Sequence, residues 1–183
     1  MQGKVKGVLF LDYVRMLRAA KENDWSLYFE PEEFHYLEER IDPNSWYPMD
    51  VFERMGLAIL VEVADRDLAK VEAWGRVTID QLYQQFPDLF VAGDPRESIM
   101  RFQILRQALF DYPVAEVVSV RDGSARVEIF YGMSAPAEEA AVHQAVGFFE
   151  RLMECSGARE AEVQIELRGW ESGGKTRLAL RWS

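Results

Sequence analysis

One cysteine, two histidines and no long apolar run are the scarcities of this 183-residue chain, and each closes a class of function. The lone Cys155 excludes an internal disulfide and fits a reducing, cytoplasmic setting. With no second thiol to complete a metal site, and placed at the end of an amphipathic helical stretch, it reads as a structural thiol rather than a nucleophile. His35 sits in "EEFHYLEE", and His143 flanks an apolar stripe beside Glu139 and Glu150, where it is expected to be solvated. No His-x-x-His or comparable spacing accompanies either, so neither metal nor axial haem ligation is expected of them. The strongly apolar run "GLAILVEVA" contains Glu62 and falls short of the roughly 20 residues a spanning helix needs. The start, "MQGKVKGVLFLDYVRML", is apolar only from Gly7 to Leu11, shows no small-residue cleavage site, and carries Gln2 where N-myristoylation needs glycine.

Basic charge is scarce as well. With 21 basic against 31 acidic side chains the formal charge is -10, which repels phosphate backbones and anionic lipid surfaces unless a basic patch overrides it. The stretch from Arg159 onward balances five basic residues with Glu160, Glu162, Glu166 and Glu171, so neither nucleic acid nor membrane is an expected partner. Catalytic constellations are missing too: "GGK" at 173 to 175 lacks the rest of a phosphate loop, and Glu32 with Glu33 or Glu138 with Glu139 read as exposed charges at helix starts rather than as catalytic pairs. No catalysis, no metal and no cofactor are expected.

What is present is a globular composition, 49% hydrophobic and 13% aromatic, of a length that suits one domain over 1–183. Residues 8 to 21 carry a helical stripe of Val8, Leu9, Leu11, Val14 and Leu17, with a strand from Val5 as the alternative; Pro31 opens a short helix to 40. In "NSWYPMDVFERM", Pro48 takes the first helical position, Tyr47 the cap, and Trp46 is set to staple onto Val51. That helix runs to about Ala64 and is apolar on most sides. A shorter one follows from Arg66 to Trp74, ended by Gly75, and Thr78 with Gln81 caps another to Phe86. "GDPRE" is the clearest helix start, with Asp94 as cap and Pro95 first, and Pro113 ends that helix near Tyr112.

Beyond Pro113 the period changes to strands at 114 to 120 and 125 to 131 around "RDGS", a hairpin. Pro136 starts a helix that Gly157 closes, and Val163, Ile165 and Leu167 pair through "ESGGK" with Leu178, Leu180 and Trp182 in a second hairpin. The fold class is α+β: a mostly helical portion, 1–112, then β-hairpin, helix, β-hairpin over 113–183, making a four-stranded antiparallel sheet with helices on one face.

"VKGVLFLDYV", Trp25, "WYPMDVFERMGLAI" and "IFYGMS…GFFERLMECSGAREAEVQIE…LALRW" together resemble the haem nitric oxide/oxygen binding (H-NOX) fold over nearly the whole chain. They also resemble bacterial proteins of similar length with the same Trp-Tyr-Pro start, taken as haem-less relatives. A further resemblance is to the vinyl-reductase-type small-molecule-binding domain, whose cysteines are missing here. The H-NOX resemblance implies iron held by a histidine on the helix before the sheet, yet "PRESIMRFQILRQALFDY" contains none. It implies haem propionates held by alternating tyrosine, serine and arginine. Here Tyr131 and Ser134 are one residue too far apart, and no arginine follows.

The expectation is a non-catalytic, haem-free sensory or regulatory module that binds an apolar small molecule or a signalling protein. A homodimer through the sheet or exposed aromatics is open. The expected pocket lies between the helical portion and the sheet, lined by Trp74, Phe102, Leu105 and Tyr131, with Arg106 as polar anchor. The alternative is a haem-based gas sensor with an atypical axial ligand: His35, His143, Cys155 or a tyrosine.

Overall fold

A computed structural model describes residues 3–183; Gln2, on which the myristoylation reading rests, lies outside them. The chain forms two compact units, one of residues up to Asp67 with Gln107–Tyr112, the other of Leu68–Arg106 with Pro113–Ser183.

In the first unit, strand β1 (Lys4–Lys6) leads directly into helix α1 (Gly7–Ala19), so the strand alternative at Val5 and the helix reading both hold. β1 pairs antiparallel with β2 (Trp46–Pro48), and Val5 also bridges to Phe110. Helix α1 buries Phe10, Val14 and Leu17. The Phe10 ring stacks on Tyr47 at 4.5 Å and Tyr13 stacks on Phe52 at 4.3 Å, which ties α1 to helix α3 (Met49–Ala58). Trp46 therefore does not cap a helix from outside. It is a strand residue, 39% exposed, with the Lys6 ammonium 4.5 Å from its ring, and Pro48 rather than Tyr47 is the cap position. Strand pairing outcompetes the staple because β1 offers Trp46–Pro48 a backbone partner.

The helix expected over 31–40 is broken into a 3-10 turn at Pro31–Glu33 and one α-helical turn, α2 (His35–Glu38). Arg18 stops α2, since its guanidinium donates to the carbonyls of Leu37 (2.7 Å), Tyr36 (3.2 Å) and Glu39. These are the orphan acceptors of a helix end. Helix α3 continues as a π-helical turn, Ile59–Val63, and then breaks at Asp65 and Arg66, both left-handed without being glycine.

In the second unit helix α4 (Leu68–Gln85) is continuous where two helices were expected. Gly75 does not end a helix. A Cβ on it would lie 1.9 Å from the Gln144 carbonyl oxygen, and one on Gly147 would lie 1.9 Å from that of Glu72. The two glycines let α4 and helix α6 (Ala135–Cys155) run backbone to backbone. Thr78 donates to the carbonyl of Trp74 at 3.1 Å, the bond of a mid-helix threonine rather than a cap. Polar contacts flank the crossing: a hydrogen-bond contact of Glu72 with His143 Nδ1 (2.6 Å), and ion pairs of Arg76 with Glu150 (3.1 Å) and Glu154 (2.6 Å) and of Asp80 with Arg151 (2.9 Å).

Strands β3 (Ala115–Arg121), β4 (Ser124–Ile129), β5 (Ala161–Leu167) and β6 (Thr176–Trp182) form the antiparallel sheet in the order β3-β4-β6-β5. Val127, Ile129, Leu178 and Leu180 are buried on its inner side with the α6 residues Val146, Phe149, Leu152 and Met153. The outer side is a lattice of charge, in which Glu128 takes Arg177 (2.8 Å) and Lys175 (3.2 Å) and Arg126 takes Glu166 (3.2 Å). Gly157, at φ +100, closes α6 as expected.

Gly147→Ala should force the two helices apart and lower stability by about 3 kcal/mol, more than the gain in helix propensity offsets; urea unfolding measures it. A second outcome follows from Arg76. Its guanidinium beside Glu154 holds that carboxyl below the usual carboxylate range, whereas burial pushes the Glu150 carboxyl up against the pull of Arg76. A depressed carboxylate stabilises above its ordinary range and loses that contribution as pH falls; a raised one costs stability once ionised. Glu154→Gln should therefore lower stability by about 0.5 kcal/mol at neutral pH, these side chains being a third exposed. Glu150→Gln should be neutral or stabilising, and both differences should vanish in acid.

Candidate functional site

Helix α5 (Pro95–Leu109) starts as its sequence dictates: the Asp94 carboxylate accepts the Glu97 N–H at 2.9 Å, and Pro95 gives up no bond in the first turn. Three of the five expected pocket residues lie on it. Phe102 and Leu105, one turn apart, are buried on a common face. The Phe102 ring meets Phe148 and Phe149 edge-on, at 5.4 and 4.9 Å. Phe148 lies off the apolar stripe that Val142, Ala145, Val146, Phe149, Leu152 and Met153 form at helical spacing, so the sequence shows only half of this aromatic cluster. Arg106 is half-buried, and its Nε is buried with no hydrogen-bond partner among the described residues. Trp74 is half-buried on α4, and Tyr131 half-buried in the loop between β4 and α6. The structure thus places Phe102, Leu105 and Arg106 on one helix and Trp74 and Tyr131 on two other elements.

The residue that the sequence reading misjudged is Glu138. Expected as an exposed helix-start charge, it is 2% exposed, and its two carboxylate oxygens accept the N–H groups of Tyr131 (2.7 Å) and Met133 (3.0 Å). Gly132 between them has φ +76, a left-handed conformation that lets the amides on either side of it turn toward one anion. A carboxylate is buried at tolerable cost only when so bonded, and its place in the first turn of α6 adds the favourable end of the helix dipole. The local signal was "YGM" followed by an acid at a helix start, which spacing rules for exposed charge do not separate from an ordinary solvated glutamate.

The histidines lie elsewhere. His35 is exposed, its Nδ1 2.6 Å from the Glu32 carbonyl oxygen. His143, expected to be solvated, is instead half-buried with Nδ1 on Glu72. Neither is on α5, so no imidazole projects from the helix where the H-NOX resemblance implies an iron ligand. Burial pushes the Cys155 thiol up, the opposite of nucleophile activation. Among the described residues no group of three or more His, Cys, Asp or Glu side chains is placed to hold a metal ion, and no helix is long and apolar enough to cross a membrane.

Solved structures settle the architecture. The H-NOX protein of K. algicida in its Fe(II) unliganded state matches at a TM-score of 0.67 with 14% identity, covering 97% of this chain and 96% of that one. The chain has the H-NOX fold. The H-NOX protein of S. oneidensis in the Fe(II)NO ligation state gives 0.65 at 9% identity, over 97% and 99% of the two chains. An H-NOX-family structure from work on heme distortion gives 0.65 at 14%, over 97% and 95%. No family model matches the sequence, and no curated protein matches it.

Glu138→Ala should strand two amide donors and destabilise the protein by about 2 to 3 kcal/mol, the scale for bonds to a charged group. Hydrogen exchange should accelerate at Tyr131 and Met133 more than in the hairpin β5–β6.

Proposed function

We propose that this protein is a non-catalytic sensory module that uses the H-NOX fold without haem, responding to an apolar small molecule or to a signalling partner protein. The observation that carries the reading is the Glu138 carboxylate on the Tyr131 and Met133 amides. The resemblance implies that this strand-to-helix loop holds the acid groups of an external cofactor, and here the chain supplies an acid of its own. The absence of histidine from α5 supports it independently.

The effector site in this reading is built from Trp74, Phe102, Leu105, Arg106 and Tyr131. Four of these offer apolar or aromatic surface. Arg106 supplies the single cation, whose buried Nε lacks an acceptor and so favours an effector with one polar end.

The second reading is a haem-based gas sensor with an atypical axial ligand, favoured by the Fe(II) states of the structural neighbours. In that case Glu138 has to yield its amides, and His143 has to leave Glu72, or His35 the Glu32 carbonyl. Titration of the purified protein with haem separates the two. The haem-free reading expects no stoichiometric Soret band; a one-to-one band that disappears in His35→Ala or His143→Ala establishes the gas sensor instead.

A further inference from the structure

Strand β3 is an edge of the sheet, hydrogen-bonded to β4 on one side. Edge strands in monomeric proteins are usually blunted by lysine, proline, a bulge or a covering element. β3 contains neither residue type, and the side-chain contact that caps it is a long one, Gln103 Nε2 to the Val117 carbonyl at 3.4 Å. The bulge between Val117 and Ser119 throws Val118 out of the ladder to 51% exposure. Beside it on α5, Met100 is 44% and Ile104 72% exposed, one helical turn apart on one face. An open groove of about 550 Å³ runs between Met100, the first turn of α5 and residues 117–120.

The strand is also self-complementary. Glu116, opposite Glu128, and Arg121, opposite Ser124, lie on the charged outer side of the sheet; Val117, opposite Val127, and Val120, opposite Ala125, lie on the inner side. Two copies of β3 set antiparallel about a two-fold axis between Val118 and Ser119 bring Glu116 against the partner's Arg121, and Val117 against the partner's Val120. Each pair meets twice by symmetry. Charge then faces opposite charge and apolar faces apolar, whereas a slip by one residue sets Glu116 against Val120 or against Asp122. The geometry points to a homodimer in which β3 pairs with β3 of a second copy, joining two four-stranded sheets and covering Met100, Ile104 and Val118. The bulge sits at the axis, where it admits Val118 of both copies. Glu116 already has Lys175 Nζ at 3.5 Å, which shares its carboxylate without neutralising Arg121.

This dimer does not depend on whether haem is bound. Sedimentation velocity at ~50 µM, above the dissociation constants of small specific interfaces, should give twice the 21.2 kDa of the chain. Glu116→Arg and Arg121→Glu, at exposed positions that leave the circular dichroism spectrum unchanged, should each weaken the dimer by roughly tenfold or more, two like-charge pairs replacing two opposite ones. The double variant restores opposite charge across the axis and should restore the dimer. A monomeric parent protein, a dimer indifferent to the single reversals, or a double variant that stays monomeric overturns the proposal.

Discussion

Two hydrogen bonds from the Tyr131 and Met133 amides to one buried carboxylate hold the loop through which the sheet passes into α6. Because a carboxylate so far from water is tolerated only when its oxygens are occupied, Glu138 fixes where α6 begins. What α6 does further on follows from that start. Its inner face, Val146, Phe149, Leu152 and Met153, belongs to the buried core of its unit, and the Phe102 ring of α5 rests on Phe148 and Phe149. A shift at the start of α6 is a shift of all these contacts, since close-packed interiors do not absorb displacement gradually.

The second constraint is the crossing of α4 with α6. Gly75 and Gly147 allow each backbone to lie against a carbonyl of the other helix, which leaves no space for side chains between them. Specificity at that distance comes from the flanks, where Glu72, Arg76 and Asp80, successive turns of α4, find the His143 ring and opposite charges on α6. Glycine inside a helix lowers its intrinsic stability, and the close packing of the pair is what offsets it.

Much of this architecture was legible in the sequence, for identifiable reasons. The start of α5 has a cap, a proline and an acid in sequence; both hairpins have period-two alternation around strong turns; and Gly157 closes α6 as a left-handed residue. These are local signals. The misreadings share a cause, which is that a distant partner decided them. Gly75 reads as a helix end until Gln144 is known to lie against it. Trp46 reads as a staple until β1 pairs with its backbone. Glu138 reads as a surface acid because the amides it bonds, although only five and seven residues away, point at it through a left-handed glycine. Of the expected pocket, the shared buried face of Phe102 and Leu105 followed from helical spacing, while Phe148 and the unpartnered Arg106 Nε depend on packing that no spacing rule conveys.

The H-NOX fold in this chain thus carries an acid in the first turn of α6 that occupies the amides of the loop between β4 and α6, and no histidine on α5, and the haem-free account rests on the first of these. The measurement that tests it most directly is chemical rescue of Glu138→Ala. If the Tyr131 and Met133 amides require a carboxylate, acetate or propionate added to the variant should raise its unfolding temperature saturably and slow exchange at those two amides, with chloride at equal ionic strength having no such effect and the parent protein unresponsive. A variant indifferent to added carboxylate, or one that responds no differently from the parent, would contradict the account.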